Sequence, residues 1–380
     1  MTFAERILNV YFLSPLTLLS TSMETIRLGN AATLDDQVFN SLVKKVTDIL
    51  KLEILQELQV RSQPTVFKMK KGASKAGTAV ANRIAKMPAN RKAAFETRVK
   101  TTNLMAPELH SFAVLKGVDL RATKIASAQL NLKSEFAFVN TTFNEAYYQK
   151  FTEKYLGVQL LGNVGGALVN KSLRFNVHSV KCVDETNPEW PGSDEIAMGG
   201  VALDDAKKES IISEVFVGGG FDDGDVKSYN PAKTIKQFAF TSAGTFPKSF
   251  AVFLALSEKD GGGFASFIKD LYDAIKDKLQ LVFTAVGGAI GTAVGAAIGG
   301  TVGGPIGIVV GAAVGFILGA LVEWIVGLIQ DDTFAPQVAI VEFGSINATF
   351  NGSTNSPIQT LNYIDHGGHY QLRYSWQIAS

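Results

Sequence analysis

The stretch QLRYSWQI, Gln371 to Ile378, decides how the second half of this chain is read. Leu372, Tyr374, Trp376 and Ile378 alternate with Gln371, Arg373, Ser375 and Gln377. A period of two is the period of a β-strand, whose successive side chains point to opposite faces. One apolar and one polar face predict a strand lying against a core. The same period recurs upstream and predicts strands near 172–184, 194–203, 210–218, 233–242, 248–257 and 337–349, with 369–379 the last. Strands joined by turn-rich links predict an antiparallel β-sandwich over 171–380. Residues 262–330 then form a helical insertion between the fifth and sixth strands.

Residues 1–170 read as a mostly helical region, so the expected class is α+β. Phe39, Leu42, Val43, Val46, Ile49 and Leu50 recur at helical spacing and predict an amphipathic helix over 35–60, with Asp35 and Asp36 in its first turn. A strand is expected around 130–138. A helix is expected after the capping box Thr142 to Glu145, carrying Tyr147, Tyr148, Phe151 and Tyr155. Ile7 to Leu19 is apolar but is broken by Asn9, Ser14 and Pro15 and follows Glu5 and Arg6 rather than a basic cluster. It reads as a short buried helix and a turn rather than a secretory leader, so the expected route is secretion or delivery without one.

Charge is sorted along the chain behind a net of only +1. Residues 61–100 carry eleven Lys or Arg against the single acid Glu96. Lys68, Lys70, Lys71, Lys75, Arg83, Lys86, Arg91 and Lys92 are candidates for docking on anionic lipid or an acidic partner. Nucleic acid is disfavoured, because Phe67 and Phe95 are the only aromatics available for base stacking there. The segment is expected to be a broken helix or a flexible arm, interrupted by Gly72, Gly77 and Pro88.

From Leu279 to Val322 the 44 residues carry no charge, and Gly287, Gly291, Gly295, Gly299, Gly303, Gly307, Gly311, Gly315 and Gly319 recur at a strict spacing of four. That spacing keeps glycine on one slowly drifting helix stripe, where another backbone can approach closely. Each interior glycine costs about 1 kcal/mol of helix propensity relative to alanine. Nine would cost roughly 9 kcal/mol, comparable to a whole domain's stability. Close packing in a nonpolar medium is the simplest offset. Gly303-Gly304-Pro305 breaks the run, so two helices, 280–302 and 306–329, are expected as a hairpin, with Trp324 as an interfacial anchor. This stretch resembles glycine-zipper membrane segments, and its placement resembles the hydrophobic helical hairpin of colicin-type pore-forming toxins. The resemblance covers about 50 of the 380 residues. It implies a membrane-active bacterial effector or pore-forming toxin, soluble first and membrane-bound later, with lipid and other copies of itself as partners. The alternative is a non-enzymatic structural protein, such as a packaged cargo of a bacterial contractile injection particle, with the hairpin buried.

Acidic residues of the second half gather in three loops, 184–195, 221–225 and 258–263. In an up-and-down strand run these are the first, third and fifth connections and fall at one end. Converging carboxylates repel unless a cation sits between them, and hard oxygen ligands suit Ca²⁺. Asp184, Glu185, Asp194, Asp222, Asp223, Asp225 and Asp260 are the candidate ligands. The logic is similar to that of C2 domains; the other reading is a set of solvated turn aspartates. The block Cys182 to Ile196, with the Phe221–Asp225 turn, resembles uncharacterised bacterial proteins, which implies no activity. Asp365 to His369 reads as a turn more readily than as a metal site. One cysteine and four histidines exclude an intramolecular disulfide framework and leave little material for acid–base catalysis. Gly218-Gly219-Gly220 lacks the helix and Lys-Ser/Thr of a P-loop. No enzyme is expected.

Overall fold

The computed structural model describes residues 26–30, 37–62, 74–101, 168–186, 194–206, 208–244, 246, 248–258, 263–287, 306–329 and 333–380. Its strands are β1 (Ile26–Asn30), β2 (Asn170–Asp184), β3 (Asp194–Leu203), β4 (Glu209–Phe221), β5 (Val226–Thr241), β6 (Lys248–Glu258), β7 (Gln337–Phe343), β8 (Gln359–Asp365) and β9 (Gly368–Ala379). Its helices are α1 (Gln37–Ser62), α2 (Lys75–Ala85), α3 (Ala89–Thr101), α4 (Phe264–Gly287) and α5 (Ile306–Ile329). The strands form two antiparallel sheets, a five-stranded one ordered β1-β7-β6-β3-β4 and a four-stranded one ordered β5-β2-β9-β8. The class is α+β, with N-terminal helices and two packed antiparallel sheets.

The alternation read in QLRYSWQI sets the inner face of the four-stranded sheet. Leu372, Tyr374, Trp376 and Ile378 are buried between the sheets with Leu173, Phe175, Val177 and Val180 of β2. The Phe175 ring stacks on Tyr374 at 4.8 Å and meets Trp376 edge-on at 4.9 Å. From the opposite sheet Phe250, Val252, Leu254 and Leu256 of β6 close this core.

A second core lies on the other side of β6. Ala251, Phe253 and Ala255 point away from the sandwich into a helical layer that includes Leu42, Val46 and Ile49 of α1, Ile268 and Leu271 of α4, and Val314, Leu318 and Leu321 of α5. The arrangement is helix layer, five-stranded sheet, four-stranded sheet. It explains why KSFAVFLALS reads as a continuous apolar run: β6 is buried throughout on both faces, leaving only its last residue partly exposed. Glu214 of β4 fixes where the helical layer joins the sheet. Its carboxylate accepts from the backbone N–H groups of Gly263 and Ala265, both at 3.1 Å, at the positive end of α4.

Each expected strand of the second half is present, with shifted ends. The strand expected over 337–349 stops at Phe343, before Gly344. β1 and β8 were not expected; β1 pairs with β7 and β8 pairs with β9. The helix expected over 35–60 is α1. From residue 74 on, the basic stretch is a broken helix, α2 and α3, parted at Lys86, Met87 and Pro88, and the Pro88 carbonyl accepts from Lys92 N at 2.9 Å. The strand expected at 130–138 and the helix after 142 lie outside the described residues. So do residues 288–305. The first helix of the apolar segment starts at Phe264 rather than at 280, and α4 and α5 follow β6 and precede β7, which are neighbours in the sheet.

Candidate functional site

Three places answer to the expectations of the sequence. The first is the glycine stripe of α5. A Cβ on Gly315 would stand 2.7 Å from Val338 Cγ1 and 3.4 Å from Phe253 Cε1, so only glycine fits unless Val338 shifts. At Gly319 the nearest atom would be Pro336 O at 3.6 Å, an ordinary contact. The stripe was expected to meet another helix; at Gly315 it meets the outer face of β7 and β6. Gly287 is the last residue of α4, Gly307 and Gly311 are in the first turns of α5, and Gly291, Gly295, Gly299 and Gly303 lie outside the described residues. The described side chains of α5 run from Ala313 to Val326, and no helix among the described residues is long and apolar enough to cross a membrane.

Near the end of α5, Trp324 is partly buried against the helical core, with Lys51 Nζ of α1 5.8 Å from its ring centroid. Glu323 beside it is half-buried. Burial, then the negative charge of Asp365, push its carboxyl up, and Lys51 opposes them.

The second place is the acidic end. The first two loops converge as expected: Cys182 N donates to Asp225 O at 2.9 Å, and Glu185 N donates to Asp223 Oδ1 at 2.9 Å. Three of their carboxylates, those of Asp194, Asp223 and Asp225, are held in hydrogen bonds within the fold. Asp194 is buried and accepts from Thr186 N at 2.9 Å, Thr186 Oγ1 at 2.7 Å and Tyr370 OH at 2.5 Å. Asp225 Oδ2 accepts from Asp222 N at 3.3 Å within the 222–225 turn. Asp184 ends β2 opposite His369, and Asp260 lies outside the described residues. Among the described residues no group of three or more His, Cys, Asp or Glu is arranged to hold a metal ion. Burial pushes the Cys182 thiol up to about 11; Asp194, Asp223 and Glu185 push the same way, against a hydrogen bond with Tyr370. That thiol is a core group rather than a nucleophile.

Asp365 to Gly368 is a two-residue hairpin turn with His366 and Gly367 at positive φ, joining β8 to β9. His366 Nε2 lies 3.3 Å from Thr333 O, and its ring meets Phe334 edge-on.

The third place is the basic segment. Lys75, Lys86 and Lys92 are exposed and Arg91 is half-buried, while Arg83 is buried beside Gly263 and Phe267, where α2 meets α4. Lys68, Lys70 and Lys71 lie outside the described residues. Three further cations were missed in the sequence: Arg174 and Lys181 of β2 and Arg373 of β9, on the outer face of the four-stranded sheet. The alternation that buries Leu173, Val180 and Leu372 carried that signal, because the residues between them must point out.

No protein-family model, no curated protein and no solved structure matches the chain.

Proposed function

We propose that the chain is a non-enzymatic protein that works through its surfaces and carries its glycine-zipper helix as a buried structural element, as a packaged cargo of a bacterial contractile injection particle would. α4 and α5 then act as an insertion between β6 and β7 that roofs the five-stranded sheet. The observation that carries this reading is the seat of Gly315 under Val338 and Phe253. Close approach of a sheet offsets the propensity cost of glycine in water, so the spacing at this position needs no lipid.

The test is dye release from anionic liposomes between pH 4 and pH 8, with and without Ca²⁺. No leakage is expected, and Gly315→Leu is expected to lower the melting temperature. A second reading, the masked form of a membrane-active effector or pore-forming toxin, draws on Glu323. The one charged residue of α5 is desolvated, and the charge of Asp365 adds to the cost of its ionisation, so this part of the helix is docked against an electrostatic penalty. In that reading Lys75, Lys86 and Lys92 meet anionic headgroups and Ca²⁺ assists. A cysteine pair, Gly315→Cys with Val338→Cys, separates the two. Leakage by the reduced pair that stops on oxidation would overturn the structural reading, because it requires α5 to leave the sheet.

A further inference from the structure

The two sheets end in four edge strands, β1 and β4 in the larger and β5 and β8 in the smaller. An edge strand presents unpaired N–H and C=O groups, and folded proteins blunt such edges with bulges, Pro, Lys or short length. Three of these four are blunted. β1 is five residues long. β4 breaks register with β3 at three places. β5 breaks register with β2 twice and carries Pro231 with Lys227, Lys233 and Lys236. β8 has none of these devices: its seven residues, QTLNYID, pair with β9 without a register shift and include no Pro, Gly, Lys or Arg.

The hairpin fixes which backbone groups β8 leaves free. The two-residue turn at His366 and Gly367 makes Asp365 and Gly368 a hydrogen-bonded pair. Such pairs alternate along an antiparallel ladder, so Tyr363, Leu361 and Gln359 bond to β9 as well. Thr360, Asn362 and Ile364, between them, turn their N–H and C=O groups to the open edge. Among the described residues nothing bonds to those groups. The side chains of the same three residues are exposed, Ile364 by 61%, and so is Ile358 just before the strand, by 47%. Leu361 and Tyr363 face the core.

We propose that the open edge of β8 pairs with the same edge of a second copy of this chain, antiparallel about a twofold axis at Asn362, joining two four-stranded sheets into one. The order of residues in the strand selects this occupant. In that register free residues meet free residues. Asn362 stands opposite Asn362 of the second copy, and Thr360 opposite Ile364 of the second copy, with two bonds in each of the three pairs. Ile364 is also diagonal to Ile358 of the second copy, so both exposed isoleucines are covered together. Asp365, the one charge of the strand, stands opposite Gln359 of the second copy, so no like charges meet. The shared edge is about 23 Å long at about 3.3 Å per residue. That is small beside the roughly 1,200 Å² of a stable interface, so the dimer is weak and forms with rising concentration. Nothing in the pairing depends on α5, so the inference goes beyond the reading above and does not rest on it.

The test is sedimentation of the purified full chain from about 1 µM to about 0.5 mM, with cysteine variants to read the register. Dimer is expected to accumulate over that range. Asn362→Pro removes one outward N–H from each copy at a position where an edge strand tolerates proline, and is expected to weaken the dimer roughly tenfold. Ile364→Lys, at an exposed position, is expected to weaken it as well and stands in if the proline variant fails to fold. The twofold places the two Cα atoms of Asn362 about 5.5 Å apart, within disulfide reach, so Asn362→Cys is expected to cross-link two copies on mild oxidation. Thr360→Cys alone, about 13 Å from its counterpart, is expected to cross-link far more slowly, and mixing it with Ile364→Cys is expected to restore the link. The native Cys182 is buried and does not compete. A chain that stays monomeric throughout, as it would if this edge served a strand from an unrelated protein, overturns the proposal. So does a dimer undiminished by Ile364→Lys, or Thr360→Cys cross-linking as fast as Asn362→Cys.

Discussion

At Gly315 two opposing effects are large enough to compare. Leucine there gains about 1 kcal/mol of helix propensity. It also drives its Cβ to 2.7 Å from Val338 Cγ1, and overpacking of that kind costs about 1–3 kcal/mol before the rest of the side chain is placed. Gly315→Leu should therefore lower the urea midpoint, whereas Gly319→Ala, with 3.6 Å to Pro336 O, should leave it unchanged or raise it. A stabilised Gly315→Leu would mean that α5 does not rest on β7. Glu323, two turns on, gives a pH signature. Its folded carboxyl lies above the ordinary value of 4.5, chiefly through burial, then through Asp365. The native state therefore binds the proton more readily than the unfolded chain. The resulting destabilisation is present above the folded pKa and is relieved as pH falls toward the unfolded value. Glu323→Gln should raise the melting temperature at pH 7, and its advantage over the wild type should shrink as pH approaches 4.5.

At the scale of an element, the start of α4 depends on a side chain from a distant strand. Glu214 serves two of the N–H groups that a helix leaves without partners at its first turn, and its charge suits the positive end. Glu214→Ala should cost about 1–2 kcal/mol, with faster amide exchange at Gly263 and Ala265 as the local readout. The loop 184–195 behaves likewise. Asp194 holds Thr186 and Tyr370 rather than facing solvent, so millimolar Ca²⁺ against EDTA should leave the melting temperature unchanged, and a rise would restore the cation reading of this end. The strand alternation of loops was legible in sequence. The destination of each carboxylate was not, because a hydrogen bond from Tyr370 to Asp194 joins residues 176 positions apart.

At the scale of the molecule, the helices before residue 102 and the sandwich after 169 share a core. Leu42, Val46 and Ile49 of α1 belong to the same buried cluster as Val338 and Ile340 of β7. Unfolding followed by far-ultraviolet circular dichroism, which is weighted to the helices, should coincide with unfolding followed by tryptophan fluorescence, which includes Trp376 in the sandwich. Two separated transitions would show that helical layer and sandwich are independent units.

What the amino-acid sequence determined by itself was periodic. Alternation in QLRYSWQI and its counterparts sets which residues share a strand face, and the spacing of four in the glycine run sets which residues share a helix stripe. Period is a property of neighbouring residues, so it survives without knowledge of the fold. What covers each face is a property of chain segments far apart, and only the tertiary structure decided it. The glycine stripe meets a sheet at Gly315 because β6 and β7 turn their second apolar face toward α5. The apolar run of β6 is continuous because a helical layer lies on one side of it and a second sheet on the other.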